Sequence, residues 1–440
     1  MLNRNIYKLL CGRYIMATKY DVFEIVYKNR ATLKPIDVVR ELNKDEREYH
    51  VIHRYLRELT KEKLLIKKKD GFQVEISTRS ELLYTLILYC IKNGINYNLL
   101  LDKNFAHFIS LALQKEEINS KNINNDVRTI KKYIDILDKH GMILIISQKP
   151  LRAKVFYNIL LNNLLVFFGY KHEVIAESSK SYILDIKREL AIYKRLRKRD
   201  ESKYQEIVNE FEISFIYHSL SLEGNPITLP DTIKILKGKL IPANLRANDV
   251  GEIKNYQEAL SQMLKDANER KPLSLQLILD YHRIAMKHHS YLAGSIRTIK
   301  VFIKGNLSFK VSPPEMIREN LDKLFDKYNV FIKRKNVPLD ESLQFAVFFH
   351  NEFQHIHPFV DGNSRTTRLL TFHLLQSLDI PIFDIPFGLL DEYLNSTKGS
   401  KKRDDKGLYL NLQKIILSNL KKINKKWEEQ IKLQNQRNKV

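Results

Sequence analysis

From residue 176 to residue 437 the chain repeats apolar residues at helical spacing, over 176–200, 202–222, 250–269, 273–287, 315–333, 340–356, 364–378 and 405–437. Apolar side chains at i, i+3, i+4 and i+7 share one face of a helix, and successive faces of this kind must bury one another. The C-terminal part of the chain is therefore committed to a mainly α fold of packed helices. One stretch breaks the period. IRTIKVFIKGNLSFKV, residues 296–311, alternates apolar and polar residues around Gly305-Asn306, which predicts a small β-hairpin, and Ser312-Pro313-Pro314 ends it.

The N-terminal part is organised differently. Val22, Phe23, Val26 and Tyr27 predict a helix over 18–30, Pro35 opens a second, and Tyr49, Ile52, Tyr55, Leu56 and Leu59 line a third over 45–63. Asp70-Gly71 then joins two extended segments. Three helices followed by a hairpin is the order of a winged helix-turn-helix, here 18–76. Its third helix presents His50, Arg54, Arg57 and Lys61 outward, and Lys67, Lys68 and Lys69 sit on the wing. These are candidate DNA-binding residues, the helix for a major groove and the lysines for phosphates. The same module also serves for dimerisation or protein docking, and both readings stay open. Residues 77–172 echo the pattern as a second winged-helix-like domain, with helices at SELLYTLILYCIKN and DVRTIKKYIDILDKHG and a hairpin in MILIISQKPLRAKVFYNIL. The remaining expected boundaries are a lead at 1–17, in which Met16 is an alternative start, a helical core at 173–418, and a basic helical tail at 419–440.

A formal net charge of +23 calls for an anionic partner, whether nucleic acid, nucleotide phosphate or an acidic protein surface. Cys11 and Cys90 are too few for a disulfide framework or a thiolate zinc site, which favours a reducing, cytoplasmic setting. The apolar run at 159–170 is too short to span a bilayer, and the N-terminus lacks a cleavable signal pattern, so no membrane partner is expected.

Chemistry concentrates in HPFVDGNSRTTR, residues 357–368. An apolar helix delivers its C-terminal end to His357, Pro358 interrupts helical bonding, and Asp361-Gly362-Asn363 forces a turn whose backbone N–H groups converge on an anion. A helix beginning at Ser364 places its positive end there. Arg365 and Arg368, three residues apart, offer guanidinium forks to phosphate oxygens. Asp361 suits a hard cation such as Mg2+, and His357 can take a proton near neutral pH. These parts describe in-line transfer from a magnesium nucleoside triphosphate to a hydroxyl. A rival reading makes His355 and His357 a metal pair completed by Asp361; zinc would need further ligands, and the arginines would repel it. His282, His288, His289 and His350 read as core or surface histidines.

The stretch resembles the signature of Fic-domain proteins, His-x-Phe-x-Asp/Glu-Gly-Asn-Gly-Arg-x-x-Arg, at seven of its eight specified positions. The resemblance extends over roughly 180–418 and takes in YHRIAM at 281–286, the 296–311 hairpin and Pro313-Pro314. It implies a protein adenylyltransferase that moves AMP from Mg-ATP to a Ser, Thr or Tyr hydroxyl of a protein substrate or of itself. His357 would then be the base, Asp361 the Mg2+ ligand, Asn363 an α-phosphate anchor, and Arg365 and Arg368 triphosphate clamps. Gly362 and Ser364 belong to the nucleotide-binding turn. Ser364 stands where the family usually has glycine, and a backbone of positive φ would strain it.

Upstream, SFIYHSLSLEGNPIT at 214–228 contains Ser219-x-x-x-Glu223-Gly224, which resembles the family's inhibitory-helix motif. The resemblance pairs Glu223 with Arg368 and implies autoinhibition, and in glutamate-bearing relatives also removal of AMP. The hairpin resembles the family's flap, and its edge at Ile299, Val301, Ile303 and Gly305 offers backbone pairing that would register a target segment near His357; a purely structural hairpin is the alternative. A rival from another class is a DNA-binding transcription regulator whose core senses nucleotide. A homodimer is left open.

Overall fold

The computed structural model describes residues 16–119, 126–171, 180–199, 201–238, 240–303, 306–381 and 384–437, with side chains omitted at 201–204 and 434–437. Cys11 and Gly305 lie outside them. The described chain divides into two compact units: one runs up to Ser110 and resumes at Leu160, and the other holds Leu111–Ile159 and the described residues from 180 onward.

In the first unit Thr18 closes a capping box with Asp21 and starts α1 (Lys19–Asn29), Pro35 opens α2 (Pro35–Glu41), and α3 is Tyr49–Lys61. Ile52, Leu56 and Leu59 of α3 face inward. Antiparallel β1 (Leu65–Lys68) and β2 (Gly71–Val74) follow, with Leu65 opposite Val74 and Lys68 opposite Gly71. Leu33 extends this ladder by exchanging two backbone hydrogen bonds of 2.9 Å with Phe72. A Cβ on Gly71 would collide with the Leu33 carbonyl, so the close approach requires glycine. The helices and the turn at Asp70-Gly71 thus lie where their sequence signals put them. Then come α4 (Thr78–Lys92), α5 (Tyr97–Leu100) and α6 (Lys103–Leu113), the last crossing the division between units.

The second unit contains β3 (Ile118–Asn119), α7 (Val127–Lys139), β4 (Ile143–Gln148) and β5 (Leu151–Val155), in sheet order β3-β5-β4. Helix α8 (Ile159–Phe167) returns to the first unit. The stretch expected as one module over 77–172 is therefore shared between the two. Its hairpin end belongs with the helical core because Gly388 N–H donates to Gly141 O at 3.0 Å and Lys421 Nζ donates to Ile146 O at 3.0 Å.

The helical core comprises α9 (Ile183–Arg199), α10 (Glu201–Ser221), α11 (Leu229–Lys237), α12 (Ala247–Asn268), α13 (Leu275–Ala285), α14 (Ile317–Ile332), α15 (Leu339–Ile356), α16 (Asn363–Ser377), α17 (Leu390–Asn395) and α18 (Asp405–Arg437). Helix α16 packs against α12, α13 and α15, and nearly every residue along it is buried. Residues 419–440 were expected as a separate basic tail. Instead α18 runs unbroken through 419, and within the described part of this stretch Ile423 and Trp427 are fully buried in the core while Lys425, Lys426, Glu428 and Glu429 face outward.

The 296–311 segment differs from its expectation: no ladder pairs its arms among the described residues. Turn bonds run within it, from Asn306 N–H to Ile303 O at 3.0 Å and from Phe309 N–H to Asn306 O at 3.2 Å, and other bonds tie it and the adjoining Ser312 to the signature loop. Arg297 N–H donates to Pro358 O at 2.9 Å, Ser312 N–H to His355 O at 2.8 Å, and the Arg297 guanidinium takes Ile299 O and Ser312 O. The small antiparallel sheets of this fold lie at 65–74 and 118–155 instead. No described helix is long and apolar enough to cross a membrane.

Candidate active site

Helix α15 ends because His357 adopts a left-handed conformation, φ 51°, still donating its N–H to Phe353 O at 3.0 Å. A β-carbon in that region costs on the order of 1 kcal/mol and needs support from its surroundings. Arg297 supplies it: Nε donates to His357 O at 2.6 Å, and its backbone N–H holds the next carbonyl. Arg297 is itself buried. Sequence reasoning missed this residue, which carries no motif beyond standing in an alternating segment.

The His357 ring is buried, with Nδ1 3.2 Å from Gln354 O. A carbonyl accepts only, so Nδ1 carries the proton and Nε2 keeps its lone pair. Burial pushes the imidazole down to about 4; Arg297 and Lys398 push the same way and the Gln354 carbonyl opposes them. The ring is neutral at physiological pH.

The next turn is braced from within. Asn363 Oδ1 accepts Phe359 N–H at 2.9 Å and its Nδ2 donates to Phe359 O at 2.8 Å, so this side chain is spent on holding the loop. Gly362 has φ 81°, and a Cβ there would press on His282 Nε2 and Met286 Sδ. His282 is a prop. Its Nε2 donates to Asp361 O at 2.9 Å, its Nδ1 accepts Gly294 N–H at 2.9 Å, and its ring stacks on Phe359 at 3.7 Å. Ser364 lies in the first turn of α16 and has no positive φ, so serine fits where glycine was expected without backbone strain. The first N–H groups of α16 have no intrahelical acceptor and present a positive helix end.

Asp361 Oδ1 accepts Gly362 N–H at 2.6 Å and pairs with Arg365 Nη2 at 3.0 Å, leaving a half-exposed carboxylate. Burial pushes this carboxyl up, but Arg365 and the Gly362 N–H outweigh it and hold it below the usual range. Arg365 is buried, its Nη1 donates to Glu252 of α12, and its Nε is buried without a partner. Asn225 Nδ2 donates to the other Glu252 oxygen at 2.8 Å. Glu252 was not anticipated, since a lone glutamate on an amphipathic helix gives no sequence signal.

Arg368 is buried and turned toward the upstream motif. Nη2 donates to Glu223 Oε1 and to Ser219 O, both at 2.9 Å, and Nε donates to Ser219 Oγ at 2.6 Å. Ser219 Oγ donates to Tyr256 Oη at 2.9 Å, which donates to Arg365 O at 3.2 Å. Glu223 Oε2 accepts from Lys398 Nζ at 3.0 Å. Burial alone would raise the Glu223 carboxyl, but Arg368 and Lys398 bring it down to about 2. Gly224, φ 96°, ends the helical turn beside it.

The structure thus brings together His357, Asp361, Gly362, Asn363, Ser364, Arg365, Arg368, Ser219, Glu223 and Gly224. His355 faces away from this group: Nδ1 meets Lys310 O at 2.8 Å and the ring stacks on Phe309, which disposes of the His355–His357 metal pair. No group of three or more His, Cys, Asp or Glu residues able to hold a metal occurs among the described residues. His350 bonds Tyr393 Oη at 2.8 Å inside the core, as expected. Along the 296–311 segment Ile299 and Phe302 are exposed, and Val301 and Ile303 are half-buried. In the first unit Arg54, Arg57, Lys61, Lys67, Lys68 and Lys69 are all exposed.

A buried imidazole, one carboxylate, a glycine turn at a helix start and two arginines stand together in this loop, and residues 272–375 match the Fic/DOC family model. The chain carries a Fic domain. It is 29% identical over 182 residues to protein adenylyltransferase Fic of Nematostella vectensis, covering 41% of each chain. It is 27% identical over 190 residues to the protein of that name in Drosophila erecta, covering 43% of this chain and 37% of that one. The chain therefore spans about two fifths of the length of these relatives. Among solved structures, a Fic-domain signalling protein of Bacteroides thetaiotaomicron has a TM-score of 0.49 and 22% identity, over 56% of this chain and 97% of that one.

Proposed function

We propose that this protein is an adenylyltransferase that transfers AMP from ATP to a Ser, Thr or Tyr hydroxyl, and that Glu223 restrains it. The observation that carries the reading is the neutral His357 with a free Nε2, held beside a helix N-terminus and two arginines. In the reaction His357 Nε2 takes the proton of the target hydroxyl as its oxygen bonds the α-phosphorus. The α–β bridging bond breaks and diphosphate leaves. Backbone N–H groups at the start of α16 bear the charge that develops on the α-phosphate, and the arginines hold the chain of phosphates.

A Mg2+ ion fits the residues present. Asp361 offers one half-exposed carboxylate, and no wholly protein-built cage accompanies it among the described residues, which suits a cation that shares its ligands with phosphates. Bound there, it would neutralise phosphate charge. Arg365 fits the triphosphate too, since its buried Nε has no partner of its own.

Glu223 occupies Arg368, so a terminal phosphate must displace it. Exposed Ile299 and Phe302 are available to a target segment. Transfer of AMP predicts that label at the α-position of ATP enters protein and label at the γ-position does not. Incorporation of γ-label would replace the reading with kinase chemistry.

A second reading concerns the first unit. We propose that it is a winged helix that binds duplex DNA, supported by the exposed Arg54, Arg57 and Lys61 on one helix, Lys67 and Lys68 at the end of β1 and Lys69 in the turn that follows. Binding of this kind must weaken steeply as salt rises.

A further inference from the structure

Glu223 does not spend both oxygens on one arginine. Oε1 accepts from Arg368 Nη2 at 2.9 Å and Oε2 from Lys398 Nζ at 3.0 Å. Two cations that share one carboxylate converge on a position the size of a single anion, and a terminal phosphate spreads its oxygens over a similar span. We propose that Lys398 is a second ligand of the terminal phosphate of the nucleoside triphosphate, joining Arg368 on the anion that displaces Glu223. The assignment rests on the nucleotide reading above and adds a residue outside both the signature loop and the matched 272–375.

The backbone around Lys398 is built for fixed placement. Thr397 N–H and Gly399 N–H both donate to Leu394 O, at 3.2 and 2.9 Å, capping α17. From the other side Asn306 Nδ2 donates to Lys398 O at 2.9 Å and Ser400 O at 2.7 Å. The Lys398 side chain is about a quarter exposed, so solvent has access to it. Removal of Glu223 without replacement leaves Arg368 and Lys398 facing each other across an anion-sized gap, an arrangement that favours a doubly charged phosphate over any neutral group.

Calorimetric titration tests this in chains that already carry Glu223→Gly, with ATP and AMP as separate probes. Adding Lys398→Ala is expected to weaken ATP by about tenfold to a hundredfold, the range of one charge-assisted contact, and to leave AMP affinity unchanged. Lys398→Arg should restore most of the loss. The unchanged AMP affinity shows that the variant is folded. Equal ATP affinity with and without Lys398, in a chain where Arg368→Ala does weaken ATP, would overturn the assignment and leave Lys398 as a neutraliser of Glu223. If neither nucleotide bound the Glu223→Gly chain, the nucleotide reading would fall and this assignment with it.

Discussion

Glu223 Oε1 lies 2.9 Å from Arg368 Nη2, with the arginine buried and the glutamate nearly so, on residues separated by 145 positions of sequence. A pair withdrawn from water in this way is costly to break on one side only, because the survivor keeps its burial and loses its counter-charge. Glu223→Ala should therefore lower stability by about 3–5 kcal/mol even as it frees the arginine, less whatever solvent recovers. Thermal melting with and without ATP checks this: the loss should be partly reversed by nucleotide. A variant as stable as wild type would mean that the pair adds little to folding.

Acid should act on the fold through histidines before it acts on this pair. His282, His350, His357 and His373 are each depressed to about 4, foremost by burial. Their folded values lie below the unfolded value near 6.5, so the stability they contribute is fully present above 6.5 and is lost as pH falls toward 4. Glu223, held at about 2, contributes stability above its unfolded value near 4.5 and loses it only below that. Denaturant midpoints should decline between pH 6.5 and 4. A flat profile over that window would show that the histidines titrate normally.

The same depression sets the pH dependence of transfer. If His357 takes the hydroxyl proton, the acidic limb of the rate should fall near pH 4 rather than near 6.5, and His357→Ala should cost about a hundredfold to ten-thousandfold. Measurement of kcat/KM from pH 4 to 8 in a variant lacking Glu223 checks the limb.

Arg365 is positioned by Glu252, which Asn225 holds in turn. Glu252→Gln keeps the shape and removes the charge, so it should raise KM for ATP by several-fold while changing kcat less. An unchanged KM would reduce Glu252 to a packing residue.

Arg297 ties the left-handed His357 carbonyl to the 296–312 segment. Arg297→Lys cannot reproduce the forked contacts to Ile299 O, Ser312 O and His357 O, and should lower kcat with little effect on ATP affinity. Loss of ATP binding in equal measure would indicate collapse of the loop instead.

The helices were legible because their apolar periods are long: α15 and α16 fall within a residue or two of the boundaries read from sequence. The signature loop was legible for a different reason, since His357, Asp361, Gly362 and the two arginines are adjacent in the chain. What escaped was whatever depends on distant segments meeting. Glu252, Arg297 and Lys398 carry no local pattern, yet each holds a named site residue. The 296–311 segment misled because alternation reports two faces and says nothing of where backbone hydrogen bonds go. Burial of Trp427 escaped because a Lys-rich stretch masks an apolar stripe.

Intact-mass measurement after incubation with ATP and Mg2+ tests the central claim most directly, in wild type, Glu223→Gly, and Glu223→Gly with His357→Ala. Added AMP is expected on Glu223→Gly, little on wild type and none on the double variant. Equal AMP addition to all three, or to the two Glu223→Gly chains alike, would contradict it.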